Sequence, residues 1–294
     1  MITLFTAPKP FVNAHIRTIQ INAIRSWQAR RTVSQIVLLG EEEGMAEVAA
    51  ELGVQHIPEI AKNEHGTPLI DDIFARGMAA SAAAGTPLTC YIKADIILPP
   101  EWDQVAETLP ESRFLAVGHR YNLDITESLS FDAAAEAALC ERRDREGTRL
   151  EPVGMDFFLF RESPWERIPP FALGRTIFDN WLVHDPCRRG IAVIDVTPTC
   201  RVIHQNHDYG HTREKSLPAI FAGEEALENK RLAGMQEWCR GTVYDATYVL
   251  RDGQVVPAPL LPRLYRQLRL RAYIATRVMR RPFSSGPRQS APAP

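Results

Sequence analysis

The chain has 294 residues, 45% of them hydrophobic and 24% charged, with a net charge of −2. That much apolar sequence can bury one large core or two small ones, and the near-neutral balance gives no overall footprint for nucleic acid, so electrostatic arguments must be local. Cysteines at 90, 140, 187, 200 and 239 form no Cys-x-x-Cys pair, which excludes by pattern a disulfide framework and a thiolate zinc site and leaves reduced thiols in a cytoplasmic protein as the expectation. The opening residues lack the basic region and apolar run of a secretory signal, and no stretch is apolar for the length of a membrane span.

Ile2 to Phe5 reads as a short buried strand, broken by Thr6-Ala7-Pro8-Lys9-Pro10. Ile16, Ile19, Ala23, Ile24 and Trp27 then recur at helical spacing, predicting an amphipathic helix from about His15 to Arg30. Gln35 to Leu39 is a buried strand ending in Gly40, so the start is a βαβ unit that favours a parallel sheet. A second unit follows, with a helix through Met45, Val48 and Leu52 stopped by Gly53, and a strand over Val54 to Ile57. This alternation argues for an α/β, Rossmann-like fold. It is not a dinucleotide fold by motif, because Gly40-Glu41-Glu42-Glu43-Gly44 would repel a pyrophosphate and no Walker-type loop occurs.

After a polar loop from Pro58 to Pro68 and a helix from Leu69 to Ala84, the run Thr89 to Leu98 reads as one buried strand that delivers Asp95 and is closed by Pro99-Pro100. Ligands of open α/β sheets bind beyond such strand ends, where a carboxylate can hold a divalent ion; capping a loop is the plainer use of the residue. Arg113 to Gly118 is a further strand, and Phe131 to Arg145 a surface helix closed by Gly147.

Gly154 to Phe160 predicts a strand with one carboxylate, Asp156, among aromatics; a buried charge requires a polar cavity or a partner such as Arg175. A helix begins within Gly174 to Val183, with Asp179 and Asn180 near its first turn. Strands over Ile191 to Val196 and Thr199 to Ile203 lead into His204-Gln205-Asn206-His207-Asp208-Tyr209-Gly210-His211. A helix over Glu224 to Cys239 and a hairpin over Val243 to Val256, turned at Asp252-Gly253, complete a first domain over residues 1–258. Residues 259–294 differ in kind: no acidic residue follows Asp252, while arginines at 263, 266, 269, 271, 277, 280, 281 and 288 accompany an apolar stripe of Leu261, Leu264, Leu268, Ala272, Ala275 and Met279. That pattern is a basic amphipathic helix suited to an anionic membrane surface or an acidic partner; a helix packed on the domain with its arginines in water satisfies it equally.

The histidines at 204, 207 and 211 follow a strand and are interrupted by Gly210, so a helical zinc motif is not favoured. One of them completing a site begun by Asp95 is a better use, and carboxylate with imidazole suits Mn²⁺ or Mg²⁺ on a diphosphate.

The βαβαβ start, the Asp at a strand end, the Gly-x-Asp-aromatic strand, the Asp-Asn-Trp helix start and the late His-x-x-His loop together resemble GT-A type glycosyltransferases of the nucleotide-diphospho-sugar transferase superfamily, over roughly Ile2 to Leu250. The resemblance implies a GT-A fold with a mostly parallel central sheet flanked by helices, and transfer from a UDP- or GDP-linked sugar to an acceptor that the sequence does not name. Where that family carries Asp-x-Asp, this chain has Lys93-Ala94-Asp95 and keeps only the last acid. By the same resemblance Asp95 and His207, or else His204, are the metal ligands. Phe5, Thr6, Lys9, Asn63, Asp72 and Lys93 approach the nucleotide, Asp156, Asn180 and Trp181 the sugar or acceptor, and Asp179 removes the acceptor proton. A non-catalytic nucleotide-sugar or partner-binding module on the same fold is the alternative, favoured by Lys93.

Overall fold

The computed structural model describes residues 1–150, 154–207, 222–234 and 241–279. Its elements in chain order are β1 (Ile2–Thr6), α1 (Ala14–Gln28), β2 (Val33–Leu39), α2 (Met45–Leu52), β3 (Gln55–Ile57), α3 (Ile70–Ala83), β4 (Leu88–Ile92), β5 (Ile96–Ile97), α4 (Glu101–Thr108), β6 (Phe114–Val117), β7 (Arg120–Leu123), α5 (Ala133–Glu146), β8 (Thr148–Arg149), β9 (Phe157–Arg161), α6 (Phe178–Arg188), β10 (Ala192–Asp195), β11 (Val202–Gln205), α7 (Glu224–Ala233), β12 (Tyr248–Arg251), β13 (Gln254–Pro257) and α8 (Leu260–Met279). The chain divides into two compact units, Met1–Ala258 and Pro259–Pro294.

In the first unit a nine-stranded sheet runs β13-β12-β10-β6-β9-β4-β1-β2-β3. It is mostly parallel, as the alternation of strands and helices predicts; β9 is inserted antiparallel between β4 and β6, and β13 returns antiparallel on β12. Each face carries its own apolar layer, since successive strand residues point to opposite sides. Leu4, Ile36, Leu38, Cys90 and Ile92 meet Ala23, Ile24 and Trp27 of α1, Met45 and Val48 of α2, and Trp102 and Val105 of α4. On the other side Phe5, Val37, Leu39 and Tyr91 meet Ile73 and Phe74 of α3 and Leu182 and Val183 of α6. α3 comes so close to β1 that a Cβ on Gly77 would lie 2.3 Å from the Phe5 ring, so the glycine at that position lets helix and strand approach.

A second sheet, β5-β11-β7-β8, stands beside the first and is backed by α5 through Leu139, Ile97, Leu123 and Ile203. It accounts for the main departure from the sequence reading. Thr89 to Leu98 is not one strand: β4 ends at Ile92 in the large sheet, the chain turns at Ala94 and Asp95, and β5 starts at Ile96 in the small one. The apolar runs on either side hide that change, because both strands are fully buried and only Lys93 and Asp95 mark the break. Nor does the expected helix from Glu224 reach Cys239. Its helical residues end at Ala233, where Gly234 closes it at φ 60, and Cys239 itself lies outside the described residues. The hairpin does turn at Asp252 and Gly253, with φ of 51 and 72, the left-handed pair that a tight two-residue connection needs.

The second unit contains α8, which extends to Met279. Leu261, Leu264 and Leu268 are exposed on it. No helix among the described residues is long and apolar enough to cross a membrane.

Candidate active site

The turn between the sheets places Asp95, and β11 places its partners. β5 pairs antiparallel with β11, matching His204 with Ile96 and Ile203 with Ile97. The register continues past the strands, where the Gln205 amide N–H donates to the Asp95 carbonyl at 3.1 Å. α1 grips the same corner: the Trp27 indole N–H donates to the Ile96 carbonyl at 2.8 Å, the Leu98 N–H to Ser26 Oγ at 3.0 Å, and the buried Gln205 side chain to the Ile19 carbonyl at 2.7 Å. The Asp95 backbone is therefore held from the strand that carries His204 and from the helix that follows β1.

The side chains then converge. His207 Nε2 lies 3.2 Å and His204 Nε2 3.8 Å from Asp95 Oδ2, and one ligand atom from each of the three residues lies within 4.8 Å of the others. Lys9 Nζ joins them, 2.8 Å from His207 Nε2 and 3.4 Å from Asp95 Oδ2. Asp95 Oδ1 and His204 Nδ1 are buried with no hydrogen-bond partner, a costly arrangement unless something else engages them.

Charge states suit that role. Burial opposes ionisation of Asp95, but Lys9 and the two histidines outweigh it and hold the carboxyl well below its usual range. Burial pushes His204 down to about 4 against the pull of Asp95, so its imidazole is neutral near pH 7. An ionised carboxylate with a neutral imidazole is a donor set that fits a divalent ion, and the nitrogens favour Mn²⁺ over Mg²⁺.

A second charged group lies alongside. Asp156, buried at the start of β9, is paired to Lys93, and Arg120 Nη1 donates to its other oxygen at 2.7 Å. The sequence reading offered Arg175 as its partner. Arg175 instead bonds Glu225 through Nε at 2.8 Å. Burial would raise the Asp156 pKa, yet Arg120 and Lys93 together keep it well below the usual value. Lys93 is likewise raised despite burial, by Asp156 and then Asp179. Asp179 is pushed up, chiefly by burial, with Lys93 opposing. It sits in the first turn of α6, entered through Ile177 at φ 81, a conformation that a β-branched side chain rarely adopts and that clusters at functional sites.

Other expected site residues are placed differently. Phe5 is fully buried in an aromatic group with Phe74 and Tyr91, so its ring faces the core rather than a ligand. Thr6 is buried at the end of β1, and its hydroxyl has no partner. Asn63 shapes its own loop through bonds from His65 and Thr67 and donates to Glu225, while Asp72 accepts from the Ala61 N–H at 2.7 Å and from Arg76. The Asn180 amide donates to the Gly241 carbonyl at 3.1 Å, and Trp181 packs edge-on against Phe171. His211 lies outside the described residues. Sequence reasoning missed Arg120 and the supporting roles of Gln20, which bonds the Lys9 backbone, and of Trp27 and Gln205. For Gln20 and Gln205 an amide among apolar neighbours is the sign the sequence offers.

No family model and no curated protein matches the chain. Solved structures similar to it include a proposed nucleotide-diphospho-sugar transferase from Desulfovibrio desulfuricans G20, at 12% identity over 79% of this chain and 96% of that one, with a TM-score of 0.43. Another is glucosyl-3-phosphoglycerate synthase from Mycobacterium tuberculosis, at 16% identity over 81% of this chain and 82% of that one, with a TM-score of 0.45. A further structure of the latter enzyme is a complex with Mn²⁺, UDP and glucosyl-3-phosphoglycerate, at 14% identity over 81% of each chain and a TM-score of 0.45.

Removing the Asp156 charge leaves Lys93 and Arg120 facing each other, and both keep some solvent contact, which limits the cost. Asp156→Asn is expected to lower unfolding stability at pH 7 by about 2–3 kcal/mol. Because the native pKa of Asp156 lies below the unfolded one, its contribution is full above about pH 4 and fades as pH falls through the native value. Urea titrations of both proteins at pH 7 and pH 3 check this: a gap that narrows in acid is expected, and equal stability at pH 7 contradicts it.

Proposed function

We propose that this chain is a GT-A type glycosyltransferase that moves a sugar from a nucleoside-diphosphate sugar, UDP- or GDP-linked, to an acceptor hydroxyl. The observation that carries the reading is the convergence of Asp95, His204 and His207 on one point beside the carboxyl end of β4, with a buried oxygen of Asp95 left unsatisfied. Asp95 and His204, from a turn and a separate strand, meet there in the ionisation states a divalent cation requires. Bound there, Mn²⁺ or Mg²⁺ would serve as a Lewis acid for the diphosphate leaving group.

The chain's own residues supply the rest. Lys93 and Arg120 hold positive charge next to the carboxylate cluster, Lys93 kept ionised by Asp156 and Asp179. Through Lys93 that charge opposes the growing negative charge on the departing diphosphate. Asp179, raised by burial, has the higher basicity wanted of a group that takes the acceptor proton. Thr6 and Lys9 stand at the end of β1, on the nucleotide's side of the reading, with Asn63 and Asp72 as its ribose-side residues. Asp156, Asn180 and Trp181 are its sugar- or acceptor-side residues, Asp156 also holding Lys93 in place.

A second reading, a module that binds nucleotide sugar without transferring it, draws on one feature. Lys93 stands where the family type has an acid, and its ammonium is committed to Asp156. The two readings separate in one experiment. Thermal melts with nucleoside diphosphates and nucleotide sugars, with and without Mn²⁺, are expected to show metal-dependent stabilisation that Asp95→Asn loses. Slow metal-dependent hydrolysis of the nucleotide sugar should accompany it and survive in Asp179→Asn, whose loss is confined to transfer. Binding indifferent to metal and to Asp95 contradicts the proposed site; binding without any turnover selects the module.

We also propose a cytoplasmic protein held peripherally at the inner membrane face by α8, whose exposed Leu261, Leu264 and Leu268 accompany arginines and no acidic residue. Co-sedimentation with vesicles containing anionic lipid is expected for the full chain, to weaken with salt, and to vanish on truncation after Ala258. Unchanged sedimentation after truncation contradicts it.

A further inference from the structure

Lys9 does more than stand near the carboxylate cluster. Its Nζ lies 2.8 Å from His207 Nε2 and 3.4 Å from Asp95 Oδ2, so the ammonium faces the same two atoms that a divalent ion would use. A lysine ammonium and a metal ion are both cations seeking lone pairs, and one imidazole nitrogen cannot serve both at once. The backbone of Lys9 is anchored: its N–H donates to Gln20 Oε1 at 2.7 Å, and the Gln20 amide donates back to its carbonyl at 2.9 Å. Gln20 is itself buried on α1. The four-carbon stem, by contrast, has 30% of the side chain exposed. It can leave the cluster by rotating while the backbone stays in place.

We infer that Lys9 and the divalent ion are mutually exclusive occupants of the Asp95–His207 donor pair, so that metal binding displaces the Lys9 side chain and leaves it free for the diphosphate. This inference rests on the metal-site reading above and adds to it a coupling. The protein carries its own cation at the site, which lowers its apparent metal affinity and turns Lys9 outward only when the ion arrives. Lys9 also balances the buried Asp95 carboxylate whenever the ion is absent.

Calorimetric titration with Mn²⁺ and amine-labelling mass spectrometry test it together. Lys9→Met is expected to bind Mn²⁺ about tenfold more tightly than the unsubstituted chain, a difference of about 1.4 kcal/mol. Lys93→Met is the control, because Lys93 is close enough to act as a field charge but touches none of the donors, so it should give a much smaller gain. In the unsubstituted chain a short pulse of an amine-reactive reagent should label Lys9 more with Mn²⁺ than without it, and Asp95→Asn should remove that response. Labelling needs no substitution at Lys9, so a poorly folding variant does not protect the idea. If the unsubstituted chain binds Mn²⁺ while Lys9→Met binds no tighter and labelling is unmoved, the coupling is wrong and the metal site stands. An equal gain in Lys9→Met and Lys93→Met, with labelling unmoved, likewise overturns it in favour of a simple field effect. If no protein in the set binds Mn²⁺, the metal reading and the coupling fall together.

Discussion

Two residues of antiparallel pairing, β5 against β11, decide that Asp95 and His204 meet. The chain leaves the large sheet at Ile92, turns through Lys93-Ala94-Asp95 and enters the small sheet at Ile96. That short excursion puts a carboxylate beside a strand that begins more than a hundred residues later and ends in His204 and Gln205. Without the small sheet Asp95 would lie at the end of an ordinary strand, with its partners elsewhere. The chain around the turn is tied down: Trp27 and Gln205 donate buried hydrogen bonds to Ile96 and Asp95 and Ser26 accepts one from the Leu98 N–H, and a buried polar side chain is tolerated only when it is so used.

Electrostatics continues what the backbone begins. Asp95 and Asp156 are both buried, and each is stabilised by cations from a different segment, Lys9 in one case and Lys93 with Arg120 in the other. Lys93 and Asp95 are separated by one residue, yet they serve different partners on the two sides of the turn. Lys93 is therefore matched by Asp156, which Arg120 also holds, rather than standing alone in the turn. Asp179 feels the same field through Lys93, whose charge moderates a pKa that burial raises.

Much of the fold was legible because its periodicities are plain. The alternating strands and helices up to α3 and the Asp252-Gly253 turn follow from local chemistry. The second sheet was not legible, because Lys93-Ala94-Asp95 is the only mark of the break inside Thr89 to Leu98, and two polar residues alternating with an alanine also fit one continuous strand. For the site, Asp95 with His204 and His207 could be picked out as polar residues at the ends of apolar runs. Arg120 could not be assigned to Asp156, since pairing across separate strands is a property of the sheet order and not of spacing. Phe5 illustrates the opposite case: the family resemblance put it beside the nucleotide, but α3 approaches through Gly77 and the ring is buried in the core.

The central claim is that Asp95, His204 and His207 form one metal centre. Pulsed electron paramagnetic resonance on the Mn²⁺-loaded protein tests it most directly, because nitrogen ligands modulate the manganese echo and oxygen ligands do not. The account predicts imidazole nitrogen coupling in the unsubstituted chain, reduced in His204→Ala and in His207→Ala and absent when both are replaced. A manganese signal with oxygen ligands alone, unchanged by either substitution, would contradict it.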